Sequence, residues 1–117
     1  MIAPSEPVCP GNRVIFTCQQ SGAVARWRIF LPSVTLQNTA QNSQIGSVLA
    51  FVNDPGFNFE HHVLSFSSNI ITTELQVTAV RELNGVRVEC AGSTFFTSTI
   101  RVASVGELII ANFPLAT

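Results

Sequence analysis

A chain of 117 residues, 46% of them apolar, reads as one domain with a real core, too short to hold two and too apolar for a disordered tail. A net charge of −1, from six arginines and no lysine against seven acids, argues against nucleic-acid binding, which usually calls for a markedly basic surface. Only 11% of residues are charged against ~25% in typical soluble domains, and no stretch approaches the ~20 apolar residues of a membrane span.

The opening "MIAPSEP" lacks the basic start and apolar run of a secretion signal. If the protein is extracellular, the expectation is therefore a mature piece or a fragment. From there the chain alternates at period two rather than repeating at three and four. "RVIFTC" sets Val14, Phe16 and Cys18 on one face and Arg13, Ile15 and Thr17 on the other. "ARWRIFL" sets Ala25, Trp27, Ile29 and Leu31 against Arg26, Arg28 and Phe30. Residues 33–59 are harder to read, with short strands expected within 46–52 and 57–66. "IITTELQV" sets Ile71, Thr73, Leu75 and Val77 against Thr72, Glu74 and Gln76. "GVRVEC" follows with Val86, Val88 and Cys90 inward and Arg87 and Glu89 outward, and "FFTSTIRV" with Phe96, Ser98, Ile100 and Val102 inward. β-Branched and aromatic residues suit such positions because they pack well on a pleated surface.

Turn residues fall between these runs, at "PGN" 10–12, "QSG" 20–22, "NDPG" 53–56, "SSN" 67–69 and "LNG" 83–85. Many short strands punctuated in this way predict an all-β fold, a sandwich or a barrel. The domain is expected over residues 1–105. Residues 106–117 are expected to form a strand extension or linker stub, with partial packing of the apolar run 108–110.

Cys18 ends one inward row, Trp27 lies in the next strand, and Cys90 ends a late inward row. Gly11 precedes the first of these strands and Leu75 lies upstream of Cys90. This order resembles an immunoglobulin-like domain over roughly residues 8–102, of variable or intermediate kind because the long Cys18-to-Cys90 interval leaves room for extra strands. The resemblance implies a two-sheet antiparallel β-sandwich with a Cys18–Cys90 disulfide across the core and Trp27, Leu75 and Val88 packed inside. The other reading of the two cysteines is a pair of buried thiols.

That family usually places a tyrosine two residues before the second cysteine. Here the position is Val88, and the chain has no tyrosine. The turn before that strand must then be fixed otherwise, and Asn84 and Gly85 are the candidates through left-handed geometry or an Asn bond to nearby backbone. The short interval from Cys18 to Trp27 implies a tight turn at Gly22. Cys9 is the odd cysteine, with an inter-chain pair, a half-buried thiol and an alternative pairing with Cys18 or Cys90 all open.

No catalytic constellation is legible, and no cofactor is expected. His61 and His62 are adjacent, so on a strand they point to opposite faces and do not share one ion; "HH" reads as surface polarity. The acids are scattered, and "NDPG" offers one carboxylate in a turn, short of a calcium loop.

Placed by the resemblance, the strands of Trp27, Cys90 and residues 96–102 share a sheet. Its outward rows carry Arg26, Arg28, Phe30, Arg87, Glu89 and Arg101, a candidate interface with a single acid. Cross-strand pairs such as Arg28 or Arg26 with Glu89 would give the same pattern on an ordinary solvated face. The resemblance implies an extracellular module, secreted or at the cell surface, with another protein or a second copy of itself as partner. The expected role is adhesion or receptor–ligand recognition, through this face or the loops at one end. The alternative is a structural spacer in a tandem array.

Overall fold

The computed structural model describes residues 1–104, and the expected packing of residues 108–110 lies outside them. Eight strands follow one another: β1 (Arg13–Ser21), β2 (Val24–Phe30), β3 (Thr35–Gln41), β4 (Val48–Ala50), β5 (Glu60–Ser67), β6 (Ile70–Thr78), β7 (Arg87–Ala91) and β8 (Phe95–Thr99). They form two four-stranded sheets, ordered β1-β6-β5-β4 and β3-β2-β7-β8, with every strand pair antiparallel. The protein is an all-β sandwich.

Alternation dictates the core. The inward rows Val14, Phe16, Cys18 on β1, Ala25, Trp27, Ile29 on β2, Ile71, Thr73, Leu75, Val77 on β6 and Val88, Cys90 on β7 are all buried. Cys18 and Cys90 are joined by a disulfide that ties the two sheets, with their Cα atoms 6.5 Å apart. Trp27 pairs with Cys90 across β2 and β7, and its ring lies 6.4 Å from that of Phe16. Its Nε1–H donates to Thr73 Oγ1 at 3.0 Å, and Thr73 stands opposite Cys18 on β6. A threonine in an apolar row is thus explained: a buried indole N–H needs an acceptor.

Val88 fills the position discussed above and is fully buried. The turn before β7 is secured by a short 3-10 segment, Arg81–Leu83, that sinks Leu83 into the core. A type II turn over residues 83–86 follows, closed by Val86 N–H donating to Leu83 O at 3.1 Å. Gly85 supplies the positive φ of 88° that this turn requires at its third residue. Asn84 departs from expectation: its φ is −62°, and its Oδ1 accepts from Val102 N–H at 2.9 Å. It ties the turn to Val102, three residues beyond β8 and bridged to Val8, rather than to neighbouring backbone.

The middle of the chain holds two differences. β3 was not legible, and β5 begins at Glu60 rather than near residue 57. The connection before β5 is organised by Asp54, whose Oδ1 accepts from the N–H groups of Gly56 and Phe57 and whose Oδ2 accepts from Phe59 N–H. The "NDPG" carboxylate therefore builds a turn. Cys9 is 5% exposed beside Ala103 and stands outside the disulfide.

Candidate interaction face

The outer surface of the β3-β2-β7-β8 sheet can be laid out from its registers. Arg28 on β2 stands opposite Glu89 on β7 and Gln37 on β3. One pair further along, Phe30 faces Arg87 and Thr35; in the other direction Arg26 faces Ala91 and Thr39. β8 completes the face with exposed Phe95, Thr97 and Thr99, and exposed Arg101 follows. The structure thus brings Arg26, Arg28, Phe30, Arg87 and Glu89 into adjoining positions, with Arg101 just beyond the end of β8.

Two internal contacts organise the middle. Arg87 lays its guanidinium over the Phe30 ring, 4.3 Å from the centroid, a contact worth ~0.5–1 kcal/mol at an exposed site. This explains a half-buried phenylalanine in an outward row. Arg28 lies 3.7 Å from Glu89, a partly exposed ion pair worth ~0–1 kcal/mol. Arg26 is not Glu89's partner, because the register sets it against Ala91. Its Nε is buried and has no hydrogen-bond partner among the described residues.

Sequence reasoning did not single out Val24 and Phe95, the two exposed apolar residues of this face. Together with Arg26, Thr39, Ala91 and Gly92 they line a groove of about 180 Å³. Alternation carried the signal, since Val24 shares the outward row of Arg26, and Phe95 that of Thr97 and Thr99.

The opposite sheet satisfies its own charges. Arg13 donates to Glu60 at 2.7 Å and to Thr78 and Gln76, His62 contacts Glu60 at 2.9 Å, and Glu74 accepts from Thr17 and Gln76. The His62 hydrogen bond, aided by Arg13, holds the Glu60 carboxyl below its ordinary range despite the opposing effect of desolvation. His61 and His62 do point to opposite faces, but His61 is not surface polarity. It is fully buried between Phe59 and Val63 in β5's inward row, stacked on Phe51, with Nδ1 3.0 Å from Asn38 Oδ1. Burial, with the neighbouring His62 charge, lowers its pKa to about 4. Its apolar neighbours at 59 and 63 were the signal that this histidine faces inward.

The loops at one end are short and interlocked. β1 and β2 are separated by two residues, β5 and β6 by two, and β7 and β8 by three. Gly22 N–H donates to Asn69 O, Asn42 N–H to Ala23 O, and Ser21 N–H to Ser93 Oγ. Gln20, which the sequence suggested as part of a turn, instead ends the buried row of β1. Its Oε1 accepts from Thr94 N–H at 3.0 Å and from the hydroxyls of Ser93 and Thr94; its Nε2 donates to Thr94 O at 3.1 Å and lies 3.4 Å from Cys90 Sγ. A Cβ at Gly92 would meet the Gln20 side chain at 2.9 Å, so glycine lets this turn close on the amide.

No family model, curated protein or solved structure matches the chain. The sandwich with its inter-sheet disulfide defines the class of fold, and the residues of the face carry the functional reading.

Proposed function

We propose that this chain is an extracellular immunoglobulin-like module that binds another protein through the β3-β2-β7-β8 face, in adhesion or receptor–ligand recognition, without catalysis. The family assignment is supported by the Cys18–Cys90 bridge packed beside Trp27. A variable or intermediate kind is supported by β3, which extends the sheet of β2, and by β4, which extends the sheet of β5. The first segment supports it too, pairing antiparallel at Ile2 with Thr17 and then parallel at Val8 with Val102. A disulfide belongs in an oxidising compartment, and among the described residues no helix is long and apolar enough to cross a membrane.

One observation carries the binding reading. Three of the six arginines share a single sheet face with Phe30, Phe95 and Val24, and a fourth, Arg101, follows exposed just beyond β8, while the loops at the end are too short and tied to reach far. Arginine beside aromatic side chains is favoured at interfaces because the guanidinium both bonds carboxylates and stacks on rings. The second reading, a spacer that binds nothing, is favoured by the Arg87–Phe30 and Arg28–Glu89 contacts, which occupy two of these arginines internally.

Substituting Arg28→Glu and Arg87→Glu together separates the two. Tetramers of the domain are measured on a cell panel, and the domain alone by sedimentation. Loss of binding or of self-association with an unchanged melting temperature supports the face. Binding that persists unchanged in the variant moves the reading to the loop tips, and absence of binding and self-association in both proteins supports the spacer.

A further inference from the structure

Resting on that reading of the face, we infer that its partner is a different protein presenting an acidic surface, with a carboxylate seated on Arg26 in the groove between Val24 and Phe95. The face, with Arg101 just beyond its β8 edge, carries Arg26, Arg28, Arg87 and Arg101 against Glu89, which is four positive charges less one negative, or +3. Elsewhere in the described residues Glu6, Asp54, Glu60, Glu74 and Glu82 stand against Arg13 and Arg81, or −3. The molecule is therefore strongly polarised although its net charge is near zero, and such a field steers an acidic partner onto this sheet. The same polarity opposes a symmetric pair of copies, in which two +3 faces would meet about a twofold axis and like charges would be juxtaposed.

Arg28 has Glu89 beside it and Arg87 has Phe30, whereas Arg26 has only Thr39 and Ala91 across its two strand pairings. Its Nε is buried without a hydrogen-bond partner among the described residues, and a guanidinium donor held out of water without an acceptor is costly. The small residues Ala91 and Gly92 keep the surroundings of Arg26 low, and Phe95, 68% exposed, and Val24, 44% exposed, flank it. A carboxylate entering here meets a fork-shaped donor in a site with apolar walls, where charge-assisted bonds are stronger than in water. Apolar atoms next to that carboxylate cover Phe95 and Val24. The fitting segment is thus an Asp or Glu adjoining an apolar or aromatic residue.

A protein fits better than a polyanion. A groove of about 180 Å³ holds one side chain rather than a sugar–phosphate or sulfated backbone. Beyond its arginines the face is mostly threonine and glutamine, without a lysine, and those few spaced charges fall short of the continuous basic track that polyanions need.

Selection of random dodecapeptides displayed on phage against the immobilised domain tests this, with affinities then measured on wild type, Arg26→Gln, Arg26→Glu/Arg28→Glu and Phe95→Glu. Arg81→Glu is the control, since Arg81 lies at the far end of β7 from the groove, and melting curves confirm that each variant is folded. Enriched peptides should pair acidic with apolar residues and lose about tenfold or more in affinity with the double variant. They should weaken less with Arg26→Gln, ignore Arg81→Glu, and bind less tightly as salt rises. Neutral or basic peptides that are lost only with Phe95→Glu would overturn the acidic partner and leave the face standing. Enriched peptides indifferent to every face variant, or no enrichment at all, would overturn both readings. Two other results would overturn the acidic-protein partner in favour of another occupant: a wild-type dimer in sedimentation that the double variant dissociates, or saturable heparin binding lost in that variant.

Discussion

Replacing Gln20 by leucine keeps the bulk at the end of β1's inward row and removes every hydrogen bond of the amide. Two of those bonds, to Thr94 N–H and Thr94 O, hold the β7–β8 turn as a neighbouring strand would. Each is worth about 1 kcal/mol net. The Ser93 and Thr94 hydroxyls belong to exposed residues and turn to water at little cost. Leucine gains some apolar burial in return, so Gln20→Leu should destabilise by about 1–2 kcal/mol. Gln20→Glu should cost more, because a carboxylate cannot donate to Thr94 O and is buried without a cation from the turn. Its burial raises the carboxyl above the ordinary ~4.3. For an acid raised on folding, stability is present below the unfolded pKa and is lost as pH rises through the folded one. Gln20→Glu should therefore approach wild type near pH 4 and fall behind at pH 7. Urea unfolding followed by the emission of the single tryptophan, Trp27, measures both variants. A Gln20→Leu change within about 0.5 kcal/mol of wild type, together with a Gln20→Glu deficit independent of pH, would show that the amide does not hold this turn.

Removing the bridge by Cys18→Ala/Cys90→Ala frees a loop with a sequence separation of 72. It should cost about 4 kcal/mol in the chain-entropy model, read from urea midpoints with the m-value compared. Thr73→Val keeps the shape and orphans the Trp27 indole N–H, which should cost about 1–3 kcal/mol in the same assay and alter Trp27 emission. His61 gives a pH dependence: with its pKa lowered to about 4 from 6.5, the unfolded chain binds a proton below pH 6.5 that the folded chain refuses. Stability contributed by His61 should fall by up to about 3 kcal/mol between pH 6.5 and 4. A series of urea midpoints should show that slope in wild type and not in His61→Gln.

Most of the sandwich was legible because β1, β2, β6 and β7 combine strict alternation with large apolar residues inward, and a half-buried strand leaves that mark. β3 did not: its inward row is Leu36, Asn38 and Ala40, and only the first is large and apolar. Asn38 can sit there because its Oδ1 meets His61 Nδ1 and its Nδ2 donates to Ala50 O at 3.0 Å, partners that come from β4 and β5. Gln20 was hidden in the same way, since the three donors to its oxygen and the carbonyl that accepts from its nitrogen lie more than seventy residues on, at Ser93 and Thr94. Polar inward residues are justified only by what they meet, and sequence alone does not show the meeting. On the candidate face the arginine row was readable once period two was combined with the sheet placement that the resemblance implies, while the choice between Arg28 and Arg26 as partner of Glu89 waited on the register. The groove was not, because it depends on β7 and β8 being closed by the three-residue turn that begins at Gly92.

What holds this molecule together and what it offers to a partner lie in different places. The disulfide, the Trp27–Thr73 bond and the Asn38–His61 contact lie between the sheets, and the Gln20 clamp closes the loop end. Among the described residues, the outer β3-β2-β7-β8 face shows two side-chain contacts of its own, Arg87–Phe30 and Arg28–Glu89, worth at most about 1 kcal/mol each. Arg26, Val24 and Phe95 lie outside both contacts, and the two apolar residues remain largely open to water. Substitutions there leave the fold nearly untouched while changing charge and apolar area at the groove. Side chains kept at a hydration cost with little structural return are where binding is to be sought. On that ground the Arg26 groove, rather than the interlocked loop end, is the place where a partner would be felt first.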